Sequence, residues 1–576
     1  MKKKTRLLAV LLAAAMLLVL CTACGDSAAS AGNPAQSEPT AADSNTAPAE
    51  QSSQAAPQED SAAASEQSSA LEEISLPLTD ETVTLTWFTS LLSANDRKYL
   101  DSMADNVALQ HLEELTNVTI EPIESDSETY SEKLNIMIAS GDYTDLIYNA
   151  VDFVNSPDQM VRDEVFLDIT ELIASDMPNY QKVLNDDQDF SLETKTANGA
   201  IVAVYEYVPE PAGENLGLFI RQDWLDDCGL SLPVTYDDWD QVLAAFTNEK
   251  GATLAFGVQQ SGIPINETFS AGYGVALSPG YVTFQEDGYP FYQVDGTIKC
   301  GYLEDGFTDY ITMMHDWYEK GYIGNDFVSK EMPDAYADDL MAQKTGAFYF
   351  FRDACDVLSG MAGGTVVPCP SPVKEAGDTL HIGGYMSHVG DYSNTITSQC
   401  EYPELAARFM DYLYSEDGYY LTNYGVENVS WTMENGEPQF MDVVTDPAGV
   451  TGDEGFSTNI ALDVYAFRRL GGQYNPNRAS AVYSDTFNSL TSVWYGNRDA
   501  ANDIPTYVTL SEEDQTQFDR TWTDIQTLIL ESVAKFINGG KPLSEIGSFQ
   551  DQLRQMGIED CIGYYQSAYD TYGDTA

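Results

Sequence analysis

Positive charge is scarce in this chain. Against 91 Asp and Glu there are only 27 Lys and Arg in 576 residues, a formal net charge of −64. Phosphate backbones and anionic headgroups are held by clustered Lys and Arg, so this balance argues against nucleic acid as a partner and against a surface that docks on anionic lipid. Excess acid serves solubility and self-repulsion. Histidine is scarcer still: four residues, His381 and His388 among them, which speaks against a His-rich metal site. The eight cysteines include Cys21 and Cys24 near the start. The other six, Cys228, Cys300, Cys355, Cys369, Cys400 and Cys561, are irregularly spaced in a long chain and imply no disulfide framework, although export would permit disulfides. The motifs G-x-S-x-G and H-E-x-x-H are missing. "NGGKPLS" around Lys541 lacks the upstream Gly and the following Ser or Thr of a phosphate-binding loop. "NDDQD", Asn185 to Asp189, lacks EF-hand spacing and reads as a solvated loop. No cofactor and no metal are expected. So many carboxylates make some close pair inevitable, which leaves a two-acid glycoside hydrolase only as a weakly supported alternative.

The N-terminus carries Lys2–Lys4 and Arg6, then an apolar run from Leu7 to Leu20. That run is too short for a membrane span of roughly 20 residues and matches an export signal. "LCTAC", Leu20 to Cys24, resembles a bacterial lipobox, in which a Cys after a small residue receives diacylglycerol. Cys24 fits that role, with Cys21 as the alternative. From Asp26 to about Ser75 the chain is Ala, Ser, Gln, Pro, Thr and Glu, too poor in apolar surface to offset its ordering entropy. It reads as a tether.

The remainder holds 35 Tyr and 23 Phe, enough for a substantial core of two or three domains. "TVTLTWFTS" alternates as a strand. Asp96–Leu115 has helical spacing, "NVTIEPI" is a second strand, Glu128–Ser140 a helix closed by Gly141, and "DLIY" a third strand. This order opens an α/β open-sheet lobe. Ligands sit beyond the carboxyl ends of such strands, which marks Phe88–Ser90 and Asn149–Phe153. Thr235 and Asp238 form a capping-box pattern. "KTGAFYFFRDA" is a buried strand. "YPELAARFMDYLYSEDGYYLTNYG" reads as one helix from Pro403 with Gly418 past its end, and Phe518–Tyr572 as helical. Arg221 and Asp223 in "IRQDW" read as a structural pair.

"KLNIMIASGDYTDLIY", "LFIRQDWLDDCGLSLPVTYDDWDQVLAAF", "CEYPELAARFMDYLYSEDGYYLTNYGVEN" and "ESVAKFINGGKPLSEIGSFQDQLRQMGIEDCIGYYQSAYDTY" occur in that order. Over roughly Leu78 to Tyr572 they resemble the extracellular solute-binding lipoproteins of carbohydrate ABC importers, specifically the large Firmicute type related to maltodextrin-binding proteins. The chain departs at Asn198-Gly199-Ala200, where these proteins often have Asp-Gly-Lys.

The resemblance implies an α/β, two-lobe periplasmic-binding-protein-like fold of type II with extra C-terminal helices. The expected division is a signal over 1–23, a tether over 24–77, lobe one over 78–204 and 378–430, and lobe two over 205–377 and 431–576. An oligosaccharide is the expected ligand and permease subunits the expected partners. The chain is expected to be a monomer on the extracellular face, anchored by lipid alone, without catalysis. A glycan receptor without transport, or a binder of a peptide or other polar solute, are the alternatives.

Sugar binding needs aromatic faces and hydrogen-bonding groups in a concave site. The candidates are Asn149 and Asp152 after the third strand, and Tyr205 and Tyr207 at the first crossing. To these are added Phe351 and Arg352 ending a strand, Tyr385 after the expected return strand, Trp431 near a crossing, and Trp494 with Tyr495 in a loop-rich region. Each has a structural alternative: a helix cap for Asp152, hinge packing for Tyr205 and Tyr207, an ion pair for Arg352, and core packing for the remaining aromatics.

Overall fold

A computed structural model describes residues 74–573 apart from 91–95, 155, 210–215, 258–265, 278–288, 330–333, 454, 477, 479 and 481–482. All lie in one compact unit, Ser69–Ala576. The signal, most of the tether, Cys21 and Cys24 lie outside the described residues. No helix among those described is long and apolar enough to cross a membrane.

The first lobe is built on five strands: β1 (Val83–Ser90), β2 (Val118–Ser125), β3 (Leu146–Tyr148), β4 (Val204–Tyr207) and β11 (Val389–Ile396), in the order β2-β1-β3-β11-β4. β1 pairs parallel with β2 and β3, and β11 runs antiparallel to both β3 and β4. Leu85, Trp87, Leu146 and Ile147 are fully buried beneath helices that include Val107–Thr116 and Ser127–Ser140. The expected helix from Asp96 is shorter than its apolar spacing suggests. Two 3-10 turns precede it, and Asn106 caps the helix at Val107 by accepting from the Leu109 amide at 2.9 Å.

The second lobe is built on β5 (Leu216–Arg221), β6 (Leu254–Gly257), β9 (Thr345–Phe351) and β10 (Val366–Pro368), in the order β10-β5-β9-β6. Three helices, Glu512–Ile537, Ile546–Gln555 and Ile558–Gly573, close its main core. A small hairpin of β7 (Phe291–Val294) and β8 (Thr297–Cys300) joins that core through Phe291 and Ile298. The capping box at Thr235 is formed, and Arg221 holds Asp223 at 2.6 Å.

The segment from Pro403 is two helices, not one. Pro403–Asp411 ends in a 3-10 turn, and Ser415 caps a new helix, Glu416–Tyr424. Gly418 lies inside that second helix, where a Cβ would come within 2.0 Å of the Tyr412 carbonyl oxygen, so only glycine fits there. The helix stops at Gly425, with φ 86. The hairpin of β12 (Trp431–Glu434) and β13 (Glu437–Phe440) follows. Phe456, Ala461, Val464, Phe467 and Leu470 then pack on the first lobe's core, whereas Leu490 and Trp494 pack with Phe219 and Phe348 of the second.

Three segments therefore connect the lobes, and they run side by side. Val389 pairs with Tyr207, the Val208 amide donates to the His388 carbonyl at 2.8 Å, and Tyr207 bridges Gln473. Gly471 and Gly472, at φ 102 and 112, supply the turn that brings the third segment alongside. That region of φ is open to glycine and costly for other residues.

Candidate functional site

β11 and β4 reach the first sheet's carboxyl edge at their Val389 and Tyr207 ends, so that edge collects Ser90, Asn149, Asp391, Tyr392, Tyr205 and Tyr207. It is also the edge from which the chain leaves for the second lobe. Asn149 turns the chain out of β3 at φ 44. Its amide is consumed locally: Nδ2 donates to the Asp391 carbonyl at 2.8 Å, and Oδ1 accepts from the Ser393 amide at 2.7 Å. Asn149 thus pins β3 to β11.

The 3-10 turn Ala150–Phe153 follows. Phe153 is 41% exposed, with its ring 5.1 Å from that of buried Tyr130. The Asp152 side chain caps no helix and makes no hydrogen bond among the described residues, and Ser156 caps the next helix. Asp152 is open to solvent on one side and flanked by protein on the others, where Tyr130 and Tyr205 feel its charge. That desolvation lifts its carboxyl to about 6. A carboxylate without a donor among the described residues can accept from ligand hydroxyls.

Tyr205 is half-buried. Its amide donates to the Tyr180 hydroxyl at 3.2 Å, its carbonyl accepts from Tyr414, and its own phenol makes no hydrogen bond among the described residues. Tyr207 is a hinge fastener: its hydroxyl donates to Asp187 at 2.9 Å and its ring lies 4.8 Å from Phe190. Asp187, expected in a solvated loop, instead caps the helix Gln188–Glu193 through the Phe190 amide at 3.0 Å and also meets His388 Nδ1 at 2.8 Å.

Tyr385 precedes the return strand, which begins at Val389. Its hydroxyl donates to Glu193 at 2.6 Å and its amide to Asp503 at 2.7 Å. Glu193 further accepts from the Ser387 and Thr506 hydroxyls and the His388 and Val389 amides, at 2.8 to 3.2 Å. This knot ties a first-lobe helix to the connecting segment that precedes β11 and to Thr506 of the second lobe.

Phe351 and Arg352 close β9 opposite Leu216, at the edge where the chain enters the second lobe. Both are half-buried, and the Arg352 guanidinium lies 5.1 Å from the Phe487 ring. Trp494 and Tyr495 end a helix, Asp485–Tyr495. The Trp494 indole N–H donates to the Leu218 carbonyl at 3.0 Å and its ring covers Gly217, where a Cβ would sit 2.1 Å from it. Tyr495 packs beside that core with Arg498 at 5.7 Å. Trp431 opens the hairpin, stacks on Tyr420 at 5.1 Å and donates to the Gly425 carbonyl at 3.0 Å. Trp431 and Trp494 are 5% and 6% exposed, so neither presents a ring face to a ligand.

Several residues at the first-lobe edge carried no expectation from sequence. Arg469 donates to the Ser90 carbonyl and hydroxyl at 3.0 and 3.1 Å and lies over the Tyr148 ring at 5.3 Å. Arg468 pairs with buried Glu206 at 2.7 Å and stacks on Tyr474 at 3.5 Å and Tyr392 at 5.0 Å. The signal for them was present, since "FRRLGGQYNPNR" holds three arginines in a chain poor in bases.

Two α/β lobes joined by three adjacent segments, with hydrogen-bonding and aromatic side chains at the facing sheet edge, define the periplasmic-binding-protein class. Residues 95–420 match the family described as bacterial extracellular solute-binding protein, and the chain belongs to that family. It is similar to the fructooligosaccharide ABC transporter substrate-binding protein FusA of Streptococcus pneumoniae, 23% identical over 506 residues, covering 81% of this chain and 87% of FusA. It is also similar to the polygalacturonan/rhamnogalacturonan-binding protein YtcQ of Bacillus subtilis, 23% identical, covering 64% of this chain and 72% of that one. Among solved structures, an extracellular solute-binding protein from Bifidobacterium longum subsp. infantis superposes with a TM-score of 0.66 at 20% identity, covering 85% of this chain and 98% of its own.

The state of Asp152 sets a pH dependence for binding. An ionised carboxylate accepts from hydroxyls on both oxygens, and protonation removes part of that capacity. Affinity for a hydroxyl-bearing ligand is expected to fall as pH drops through about 6, and this dependence is expected to disappear in Asp152→Asn. Calorimetric titrations between pH 5 and 8, set by that value, check it. An unchanged pH profile in the variant removes Asp152 from the site.

Proposed function

We propose that this chain is the cargo-binding component of an ABC importer, that it takes up an oligosaccharide between its lobes, and that it hands the sugar unchanged to permease subunits in the membrane. Lipid on Cys24, or on Cys21, anchors it at the extracellular face, and the tether gives it reach. It acts as a monomer without cofactor or metal.

The observation that carries this reading is the first-lobe edge itself. There Asp152 offers unused acceptors beside exposed Phe153 and half-buried Tyr205, at the point where the chain crosses between two lobes. Phe351 and Arg352 extend the site from the second lobe. Tyr207, Tyr385 and Asn149 hold the hinge and the sheet edge around it, and closure of the lobes buries the cargo. The lobe boundaries that suit this reading are 78–204 with 389–470, and 216–377 with 485–573. The relatives named above, two of them carbohydrate binders by name, support the choice of cargo.

A thermal-shift screen of the mature protein against an oligosaccharide panel tests the reading. At least one sugar is expected to raise the melting temperature progressively, with the logarithm of its concentration above Kd, and to be recovered intact by chromatography. Recovery of cleaved sugar overturns the reading in favour of hydrolysis. A panel without any binder, beside a positive response to peptides, overturns it in favour of another solute.

A further inference from the structure

The two lobes carry charge of the same sign. Residues 78–204 with 389–470 hold 39 Asp and Glu against 9 Lys and Arg, a formal charge of −30. Residues 216–377 with 485–573 hold 38 against 13, a formal charge of −25. Like charges on two bodies that share a hinge push them apart, and salt weakens the push.

Beside the connecting segments, the first-lobe helices Pro157–Arg162 and Gln188–Glu193 meet the start of the second-lobe helix Glu512–Ile537 and the stretch before it. Leu192 packs against the second lobe's main core, and Glu193 accepts from the Thr506 hydroxyl at 2.8 Å. Tyr507 of the second lobe feels the charges of Asp189 and Glu193. This boundary is acidic on both sides. Residues 157–195 hold ten acids and three bases, and residues 499–514 hold five acids and no base. Glu512, Glu513 and Asp514 all lie in the first turn of their helix.

Of the three first-lobe bases here, Lys182 is spent on Asp186 in its own helix, and Arg162 reaches across the boundary. Its Nη2 donates to Glu512 at 2.6 Å and to Gln159 Oε1 at 2.5 Å. Among the described residues, Arg162–Glu512 is the only ion pair that joins one lobe to the other. The rest lie within one lobe, or involve His381 or His388 of the segment before β11. Removing the Arg162 charge leaves acids facing acids across the contact.

We propose that Arg162 is an electrostatic clasp between mutually repelling lobes: paired with Glu512 it holds the arrangement described, and without it the lobes swing apart about their connecting segments. Leu192 and the Glu193–Thr506 bond remain as the pivot.

The test is fluorescence energy transfer between dyes placed one on each lobe of the mature, ligand-free protein. Ile136→Cys and Val357→Cys carry the dyes, since those residues are 60% and 56% exposed. Cys228→Ala removes the one thiol among the six described that is not buried. In Arg162→Gln the ratio of separated to closed-up molecules is expected to rise about 5-fold, the upper end for an exposed ion pair, and in Arg162→Glu further. Salt at about 1 M, where charges act over only about 3 Å, is expected to reverse most of the opening. The charge swap Arg162→Glu/Glu512→Arg is expected to restore the transfer of the parent protein. Circular dichroism shows that each variant is folded. Unchanged transfer in Arg162→Glu overturns the proposal. So does an opening that neither salt nor the charge swap reverses, because that is loss of packing and not of charge. The measurement uses no sugar, so its outcome is independent of the cargo reading above.

Discussion

Arg468→Ala is expected to lower the stability of the unliganded protein by about 3–5 kcal/mol, the usual cost of stranding one member of a buried ion pair. Glu206 is 1% exposed and receives both Nε and Nη2 of Arg468, at 2.7 and 2.9 Å. Gly390 lies over it, and a Cβ there would come within 2.3 Å of the carboxylate. Burial raises the Glu206 carboxyl above its ordinary value, and Arg468 opposes that rise. Without Arg468 the rise is larger and the folded state holds its proton more tightly than the unfolded chain does. The sign follows from linkage: stability is then lost as pH climbs from the unfolded value of Glu toward the raised folded one. The deficit of the variant is therefore expected to be greatest near neutrality and to shrink in acid. Urea denaturation at several pH values measures it. A deficit independent of pH overturns the account of Glu206, and a double change, Glu206→Gln with Arg468→Met, is expected to recover much of the loss.

Trp494→Ala is expected to cost about 3–5 kcal/mol as well, here through loss of packing. The indole fills the space over Gly217, meets Phe219 edge-on at 5.4 Å, and satisfies the Leu218 carbonyl. Gly217→Ala is expected to disturb the same contact from the other side, because its new Cβ would overlap the ring. Thermal and denaturant unfolding of the ligand-free variants decide the matter. A Trp494 that serves as a sugar platform would leave those curves unchanged and lower affinity alone. Trp431 invites the same comparison, as it is stacked on Tyr420 and bonded to Gly425.

These two tryptophans show where reading the chain in one dimension stops. Large aromatic residues suit both a sugar face and a core, and the choice depends on what lies across from them. For Trp494 that is Gly217, more than two hundred residues earlier. Asp152 is the opposite case. Its position just after a short apolar strand was legible, because the alternation of β1, the run Leu146–Tyr148 and the helices between them fix which strand ends gather. That no donor among the described residues reaches its carboxylate was not legible, since hydrogen-bond partners come from segments remote in sequence. Tyr207 and Tyr385 were legible as lying near crossings. Their hydroxyls are claimed by Asp187 and Glu193 only once a first-lobe helix is brought against the connecting segments.

Periodicity and composition sufficed for an open α/β lobe, its apolar faces and the surplus of acid, because these need no knowledge of distant contacts, and the class of protein came from the resemblance of four segments to a known family. The tertiary structure alone decided which polar groups are spent and which are left over. Arg468 and Arg469 are neighbours in the chain, yet one is neutralised inside the fold by Glu206 and the other is held by a carbonyl and a ring, with no ion pair among the described residues. That difference arises because adjacent side chains leave the backbone in different directions and meet different strands.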